Sequence, residues 1–495
     1  MIFSSILFLC IFLPVMIVGY FVLPKKLKNV YLLLGSLFFY AWGEPKYIFI
    51  MLASIIGNYC FGMLLHYLAM KQSKPEQVPA PWAKRAVLIV AVLFNLGILI
   101  YFKYYMMIVT TISDLFQAEL AVPEIVLPIG ISFYTFKGIS YLADVYRTEG
   151  NRDEDGKICT LAEKNPINLA LYISMFPQLM AGPIGRYPDM KDALKERVTN
   201  ASGFSKGIER FIIGLAKKAI IANSIGETAD KIFASDITYL GTPAAWLGAI
   251  FYTLYIYYDF SGYSDMAIGL GKIFGFDFSE NFNYPYISRS ITEFWRRWHI
   301  SLSSWFRDYL YIPLGGSRTG NVYFNLFVVF LATGIWHGAS WGFLIWGVWH
   351  GIFMLIERAF RGKELKFRVP SFVKWLYTIL VVTLGWVLFK LEEIEPALTY
   401  IGTMFHLRSS SYTAFSLRYY LDNKMIMLLI LAVLAAVPWA QVLPRRIGSA
   451  IAAVSLAEPS KPVCIGRRVI LLLLLLLSMI FIVNSTYNPF VYFKF

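Results

Sequence analysis

Charged residues are scarce in this 495-residue chain, where Asp, Glu, Lys and Arg together make up only 15%. A soluble domain carries about a quarter of such residues, so this shortage excludes an ordinary water-exposed globular protein. In their place the chain is 58% hydrophobic and 17% aromatic, with a mean hydropathy of +0.58. We therefore expect most of its surface to face the hydrocarbon of a lipid bilayer.

Cysteine is also scarce, and its spacing excludes two further classes of protein. The four cysteines lie far apart, form no CxxC pair and have no neighbouring histidines at zinc-ligand spacing. A disulfide framework and a structural metal are therefore not expected. The first apolar segment, Ile6 to Val22, lacks a basic n-region and a small-residue cleavage site. It is predicted to be a retained membrane span and not a signal peptide.

The net charge of +14 would suit nucleic-acid binding, but the position of the basic residues favours another cause. They fall in short loops between apolar segments, where cytoplasmic loops of membrane proteins concentrate Lys and Arg. Membrane topology explains the charge, and no nucleic-acid partner is predicted.

Apolar stretches recur along the whole chain. Because each must satisfy its backbone hydrogen bonds internally, helices are predicted. The fold class is thus an all-α polytopic membrane protein with about 11–12 transmembrane helices plus re-entrant segments. No extramembrane stretch is long enough for a second domain, so residues 1–495 are expected to form one membrane domain. The stretches are 6–23, 29–42, 47–70, 86–107, 125–143, 165–181, 207–222, 244–274, 322–336, 341–357, 375–391, 425–443 and 469–486.

Loop charge predicts an orientation. The segment 108–124 carries three acidic residues and no basic one, so it is expected outside, together with both chain termini. Strict alternation fails at 165–181, where Pro177, Gly182 and Pro183 favour a re-entrant segment. The basic loops expected on the cytoplasmic side are 25–28, 71–85, 357–374 and 444–468.

Ionisable residues retained in a membrane bundle are functional candidates by default. Asp259 and Asp265 lie in the Gly-rich segment 257–286, six residues apart and on different faces of a regular helix. That separation makes them a poor acid/base pair. Hydrogen bonding within the core and the lining of a cavity both remain open interpretations.

The segment 294–316 mixes arginine, histidine and aspartate with large aromatic residues. Such a mixture is tolerated at membrane depth only where it faces protein or water, which favours a re-entrant, cytoplasm-facing cavity lining. Arg296 and Arg297 fit either pairing with the phosphates of a coenzyme or carrier donor, or anchoring at the interface.

His337 lies at a Gly/Ser break within GIWHGASWG, between two apolar spans. Imidazole is the side chain best suited to general base catalysis near neutrality. A lone core histidine is more often structural, and both roles stay open on the residues alone. His350 repeats the local Trp-His-Gly pattern and is either a decoy or a second polar core residue, while His66 and His406 lie near predicted membrane surfaces.

Several multi-residue motifs across nearly the whole chain resemble the membrane-bound O-acyltransferase family, in particular its bacterial alginate O-acetyltransferase branch. They are FYAWGEP (39–45), FPQLMAGPIGRY (176–187), YYDFSGYSDMAIGLG (257–271), the segment 294–316 and GIWHGASWG (334–342). The resemblance implies helices around a central tunnel, with the acyl donor entering from the cytoplasm and the acceptor from the other side. It also implies two intramembrane active-site histidines, which are His299 and His337 here.

Five further residues are candidates for binding the donor or the substrate. They are Arg296, Arg297, Trp298, Trp336 and Asp265.

The C-terminal tail, 487–495, ends in aromatic residues spaced as Phe-x-Tyr-x-x-Phe. This spacing is similar to the terminal motif of the small subunit of teichoic acid D-alanylation systems, where a tyrosine can relay the acyl group. Tyr492 is accordingly a candidate relay. The alternative is an aromatic anchor at the membrane interface.

The resemblance implies transfer of an acetyl group from a cytoplasmic thioester, most simply acetyl-CoA, across a bacterial cytoplasmic membrane to an extracellular polysaccharide. No bound cofactor is expected. Because the chain lacks a domain to grip a polymer, final transfer is expected to need a partner, and the chain itself has no GxSxG elbow. The resemblance to similar systems implies that this partner is an extracytoplasmic acetyltransferase of the SGNH type. The alternatives are D-alanyl transfer to teichoic acid, a polysaccharide or lipid-linked sugar transporter, and a scaffold without turnover.

Overall fold

The computed structural model describes residues 1–72, 81–117, 125–151, 159–360, 369–407, 415–439 and 461–489. Within these ranges the regular structure is helical and contains no strand, which confirms the predicted all-α polytopic class. In the described part of the chain, five helices are long and apolar enough to cross a bilayer, at Ile48–Lys71, Trp82–Phe116, Trp341–Phe360, Ser371–Leu391 and Ile465–Asn484. Three shorter apolar helices accompany them, at Phe8–Val22, Val322–His337 and Asn423–Ala435.

The α-helices are numbered in chain order. In the amino-terminal half they are α1 (Leu13–Val22), α2 (Lys28–Gly43), α3 (Ile48–Gln72), α4 (Pro81–Phe116), α5 (Ile131–Thr148), α6 (Pro166–Ser174), α7 (Phe176–Leu179), α8 (Tyr187–Lys195), α9 (Ala201–Ala216) and α10 (Asn223–Phe233). They continue with α11 (Thr242–Ile273), α12 (Ile291–Arg297), α13 (Ile300–Phe306), α14 (Val322–His337), α15 (Trp341–Phe360), α16 (Ser371–Leu391), α17 (Ile394–Met404), α18 (Leu417–Tyr420), α19 (Asn423–Ala435) and α20 (Lys461–Asn484). Wider π-helical turns lie at Phe8–Phe12, Lys217–Ala222 and Arg307–Tyr311, and 3₁₀ turns at Lys25–Leu27, Ile237–Tyr239 and Pro285–Ile287.

The chain divides into two compact units. The first comprises Met1–Ile208 with Ala267–Ser279, and the second comprises Glu209–Met266 with Glu280–Lys494. The single membrane domain expected from the sequence stays a prediction.

Polar side chains join the helices of the first unit. Asn58 on α3 and Asn95 on α4 exchange amide hydrogen bonds of 3.1 and 3.0 Å, which satisfies both amides away from water. The buried Lys137 of α5 donates to the Tyr172 carbonyl at 2.9 Å and to Oε1 of Gln178 at 2.8 Å. These bonds tie α5 to the segment that contains α6 and α7.

The segment predicted to be re-entrant is a broken helix. Helix α6 has 9 residues and is therefore only about 14 Å long, well short of the roughly 30 Å hydrocarbon core. The backbone turns at Met175, with φ −51° and ψ 113°, before α7 begins. This geometry agrees with the prediction that 165–181 does not cross the bilayer as one helix.

A helical hairpin dominates the second unit. Helices α14 and α15 pack along their length, and α15 in turn packs on α12 and α16. Two glycines face each other in the hairpin, because a Cβ added to Gly347 would lie 2.9 Å from the Cα of Gly334. This close approach of two backbones fixes the turn between the helices, where His337 lies.

Candidate active site

His337 is the last residue of α14 and lies at the predicted break in the hairpin. Gly338 is extended, with φ −174° and ψ 164°, and α15 begins only at Trp341. The side chain is 2% exposed, so the break holds an imidazole inside the protein.

Aromatic rings enclose the His337 imidazole on several sides. Its ring centroid lies 4.9 Å from that of Trp336, 4.9 Å from that of Trp346 and 5.3 Å from that of Phe389, each in an edge-to-face arrangement. These contacts fix the orientation of the ring. An oriented imidazole shielded from bulk water is compatible with a general base that acts on a substrate bound beside it.

His299 lies in the junction between α12 and α13, in a left-handed conformation with φ 44° and ψ 54°. A residue other than glycine seldom adopts this conformation, and such strain concentrates at functional sites. His299 is fully buried. The two short helices around it also agree with the prediction that this region does not span the membrane.

Asn281 orients His299. Nδ1 of His299 lies 3.1 Å from Oδ1 of Asn281, which also accepts hydrogen bonds from the Ser301 hydroxyl at 2.8 Å and the Ser301 backbone N–H at 3.2 Å. The amide of Asn281 donates to Oγ of Ser264 at 3.1 Å, which assigns its Oδ1 as the acceptor toward the ring. His299 must then carry its proton on Nδ1, which leaves the lone pair on Nε2.

The indole of Trp336 contacts both histidines. Its centroid lies 6.1 Å from the His299 ring and 4.9 Å from the His337 ring. The structure therefore brings together the two histidines and one tryptophan that the sequence predicted as site residues. They lie on α14 and on the α12–α13 junction, and all belong to the second unit.

His350 lies on α15, in the same hairpin as His337. It is fully buried, and its ring centroid lies 5.1 Å from that of Trp346 and 5.2 Å from that of Trp295. Trp346 thus separates His350 from His337. Of the two alternatives for His350, this position favours the second polar core residue.

Trp298 and the neighbouring arginines occupy different environments. Trp298 is buried against Trp386, with a centroid distance of 4.8 Å, so it packs in the core. Arg297 pairs with Glu293 at 3.0 Å and donates to the Asn283 carbonyl at 3.1 Å. Arg296, in contrast, is exposed. Of the two arginines, Arg296 has the exposure that a contact with a soluble donor requires.

The two aspartates of α11 each form ion pairs with cations from α9 and the following turn. Asp265 pairs with Arg210 at 2.6 Å and with Lys217 at 2.7 Å. Asp259 is fully buried and pairs with Lys218 at 2.5 Å. The separate partners agree with the expectation that these carboxylates do not act as a pair.

The first residues of the C-terminal tail bind to α10 and to the π-helical turn before it, which contains Lys218. The Tyr487 hydroxyl donates to Asp230 at 2.5 Å, and Lys390 donates to the other oxygen of that carboxylate at 2.5 Å. Asn488 accepts from Asn223 at 3.3 Å, and the carbonyl of Pro489 accepts from Lys218. Tyr492 lies outside the described residues.

Asn281 and Lys218 are two site residues that the sequence did not predict. Asn281 lies inside the Gly-rich segment 257–286, directly after an acidic residue. The sequence therefore placed it near the candidate site, but did not indicate that it binds His299. Lys218 follows another lysine, Lys217, at the end of an apolar helix. Its charge inside an apolar stretch was the available clue.

Comparison with known proteins identifies relatives of the chain. A family model for membrane-bound O-acyltransferases matches residues 121–391. The probable alginate O-acetylase of Pseudomonas aeruginosa is 42% identical over 411 residues, covering 82% of this chain and 75% of the relative. A peptidoglycan O-acetyltransferase of Helicobacter pylori is 36% identical over 439 residues, covering 83% and 81%. A teichoic acid D-alanyltransferase of Bacillus subtilis is 32% identical over 267 residues, covering 51% and 65%.

Proposed function

The chain belongs to the membrane-bound O-acyltransferase family and is a multi-pass membrane O-acetyltransferase, and we propose that it passes acetyl from a cytoplasmic thioester to an acceptor outside the cell. The observation that carries this proposal is the pair of buried histidines, His299 and His337, in contact with one indole, Trp336. We place the chain in the cytoplasmic membrane of a bacterium and take acetyl-CoA as the donor.

His337 acts as the general base in the proposed reaction. It removes the proton from an attacking hydroxyl, and the oxygen forms a bond to the thioester carbonyl carbon. The C–S bond then breaks, and the thiolate takes up the proton that the imidazole holds, so an ester and a thiol result. Positioned general base catalysis of this kind contributes roughly 10²–10⁴-fold.

His299 supports the same step through its fixed tautomer. Because Asn281 holds the proton on Nδ1, Nε2 is the nitrogen that accepts a proton or a hydrogen bond from a reactant. The left-handed backbone at His299 turns the chain between α12 and α13 and so sets the direction in which this ring projects. All five proposed donor or substrate contacts stay proposals, and the exposure of Arg296 and the ring contacts of Trp336 with both histidines support these two most directly. The ion pairs of Asp265 and Arg297 and the packing of Trp298 also stabilise the site.

The tail delivers the attacking hydroxyl. The carbonyl of Pro489 accepts a hydrogen bond from Lys218, and Lys218 pairs with Asp259. The residue after Asp259 is Phe260, and the centroid of its ring lies 4.7 Å from that of the His299 ring. Tyr492 follows Pro489 by three residues, so the chain can carry it at most about 10 Å from that point. This anchorage supports Tyr492 as an acyl relay more than as an interfacial anchor.

From Tyr492 the acetyl group passes to a partner outside the membrane. We propose an SGNH-type acetyltransferase with its own serine nucleophile, which completes transfer to a polysaccharide. The relatives are named for the acetylation of alginate and of peptidoglycan, which supports a polysaccharide acceptor. The D-alanyltransferase relatives cover only about half of the chain, which favours acetyl over D-alanyl.

Mass spectrometry of surface glycans, with and without the gene product, tests this function. We expect acetyl esters that disappear in its absence and return with the wild-type chain. Tyr492→Phe should remove them as well, whereas undiminished acetylation in that variant rules the relay out. Unchanged glycan acetylation in the complete absence of the chain, with altered glycan export, would instead favour the transporter.

A further inference from the structure

A cavity of about 580 Å³ lies in the second unit, beside the start of the C-terminal tail. Its volume falls within the range of about 300–1,000 Å³ that small-molecule sites occupy. Side chains from α10, α18, α19 and α20 form its wall. Its lining residues are Ala219, Asn223, Ser224, Glu227, Thr228, Lys231, Tyr419, Tyr420, Asp422, Lys424, Met425, Ile480, Phe481, Asn484 and Ser485.

The lining of this cavity combines hydrogen-bonding groups with an accessible aromatic face. Amides and hydroxyls come from α10 and from the end of α20, and the Tyr419 side chain is 64% exposed. Tyr419 stacks on Phe415 with a centroid distance of 4.4 Å, which holds its ring in place. An aromatic face among amides and hydroxyls matches the C–H face and the hydroxyls of a sugar ring.

Charge in the cavity is balanced. Its two lysines, Lys231 and Lys424, are matched by two carboxylates, Glu227 and Asp422. Lys231 pairs with Glu227 at 2.8 Å, and Asp422 accepts from the Met425 backbone N–H at 2.7 Å. A polyanionic chain would require an excess of cations, so this balance favours an uncharged ligand.

Asn223 supplies a second, independent indication of a ligand. It is 4% exposed, and its Nδ2 donates to Oδ1 of Asn488 at 3.3 Å. Its own Oδ1 is buried and has no hydrogen-bond partner among the residues that the structure describes. Buried carbonyl oxygens are nearly always satisfied. Because Asn223 lines the cavity, a small rotation of its side chain would turn this oxygen toward a hydroxyl of a bound ligand.

The cavity is lined by residues from two parts of the chain, one inside the range of the family match and one after it. The family match ends at residue 391, whereas the lining residues Tyr419 to Met425 and Ile480 to Ser485 lie beyond it. Ser485 lines the cavity, and Tyr487 to Pro489 continue from it to Asp230 and Lys218. A ligand held here therefore lies beside the anchored segment that precedes Tyr492.

We propose that this cavity binds one or two uncharged sugar units of the acceptor glycan. The proposal rests on the proposed function for the identity of the glycan, but binding itself does not require turnover. The site would hold a stretch of acceptor near the point where the acetyl group leaves the chain.

Saturation-transfer NMR on the full-length chain in nanodiscs tests the proposal with three probes, cellotetraose, an N-acetylglucosamine tetramer and a mannuronate tetramer. We expect saturation of at least one uncharged tetramer and at least tenfold weaker binding of the mannuronate. Tyr419→Ala and Asn223→Leu should each weaken binding at least tenfold, while Tyr419→Phe keeps the ring and the affinity. Asn488→Ala is the control for Asn223→Leu, because it removes the contact with the tail and leaves the cavity acceptor in place.

Two results would overturn the proposal. One is the absence of binding by either uncharged tetramer in a chain that transfers acetyl normally, and the other is binding that Tyr419→Ala and Asn223→Leu both leave unchanged. His337→Gln separates this proposal from the proposed function, since we expect it to stop transfer and to retain tetramer binding. Acetyl transfer that persists in His337→Gln contradicts the proposed base and leaves the binding result standing.

Discussion

Oδ1 of Asn281 lies 3.1 Å from Nδ1 of His299, and both residues are fully buried. The amide thus selects the tautomer of the histidine, in the way that a carboxylate or carbonyl orients the imidazole in other general-base sites. The orientation comes from the loop before α12, because the Asn281 backbone carbonyl also accepts from the Ile300 N–H at 3.0 Å.

Asn281→Ala should lower acetyl transfer roughly 10–100-fold, the usual effect of removing a group that orients a functional side chain. The KM for the donor should change little, because Asn281 acts through His299. Initial rates with labelled acetyl-CoA measure both parameters. Asn325→Ala is the matched control, since the side-chain amide of this buried asparagine donates to the Gly316 carbonyl at 2.9 Å, and the transfer rate of the variant should stay near that of the wild type.

Gly347→Ala should destabilise the hairpin that holds His337. Its Cβ would lie 2.5 Å from the Phe330 carbonyl oxygen, and overpacking of this kind costs about 1–3 kcal/mol. A lower midpoint of thermal unfolding in detergent is the expected result. Gly402→Ala, where the new Cβ would meet no described atom within 4 Å outside its own stretch of helix, should leave the midpoint unchanged or raise it. Equal midpoints for Gly347→Ala and wild type would contradict the close packing of α14 and α15.

Lys218→Met should destabilise the chain by about 3–5 kcal/mol, because it leaves the buried carboxylate of Asp259 without its cation. Adding Asp259→Leu to the same chain should restore part of that loss, and a double-mutant cycle on thermal unfolding measures the recovery. Lys231→Gln is the control, since its exposed pair with Glu227 contributes at most about 1 kcal/mol. No recovery in the double variant would argue against the ion pair.

Tyr487→Phe should reduce acetylation outside the cell several-fold without lowering the thermal midpoint of the chain. The variant loses the hydrogen bond to Asp230 and so loosens the segment that positions Tyr492. Mass spectrometry of glycan esters measures the effect. Tyr239→Phe, at an exposed tyrosine in the turn before α11, is the control. Equal ester content in the two variants would show that anchorage of the tail is not needed.

Periodicity and composition predicted the helices and the breaks because these depend on local sequence. The Gly-Ala-Ser sequence after His337 ends one helix before the next begins, and Pro177 lies in a segment too broken to span the bilayer. The family motifs predicted His299 and His337, and the structure brings both against Trp336.

The partners of the polar residues were beyond prediction because they come from distant parts of the chain. Asp265 pairs with Arg210 and Lys217, which lie 55 and 48 residues earlier in the chain. The sequence therefore showed a carboxylate on α11 but did not indicate which cations neutralise it. The anchorage of Tyr487 at Asp230 joins residues 257 apart. The sequence also could not separate the exposed Arg296 from the paired Arg297, since that difference depends on how α12 packs.

The rate of acetyl transfer by purified His337→Gln, reconstituted in proteoliposomes with labelled acetyl-CoA, shows whether His337 is the general base. We expect a rate at least about 100-fold below that of the wild type, with an unchanged thermal midpoint, because the general base is gone. His406→Gln, at an exposed histidine, should keep the wild-type rate. A folded His337→Gln chain that transfers acetyl within twofold of the wild-type rate would contradict the account.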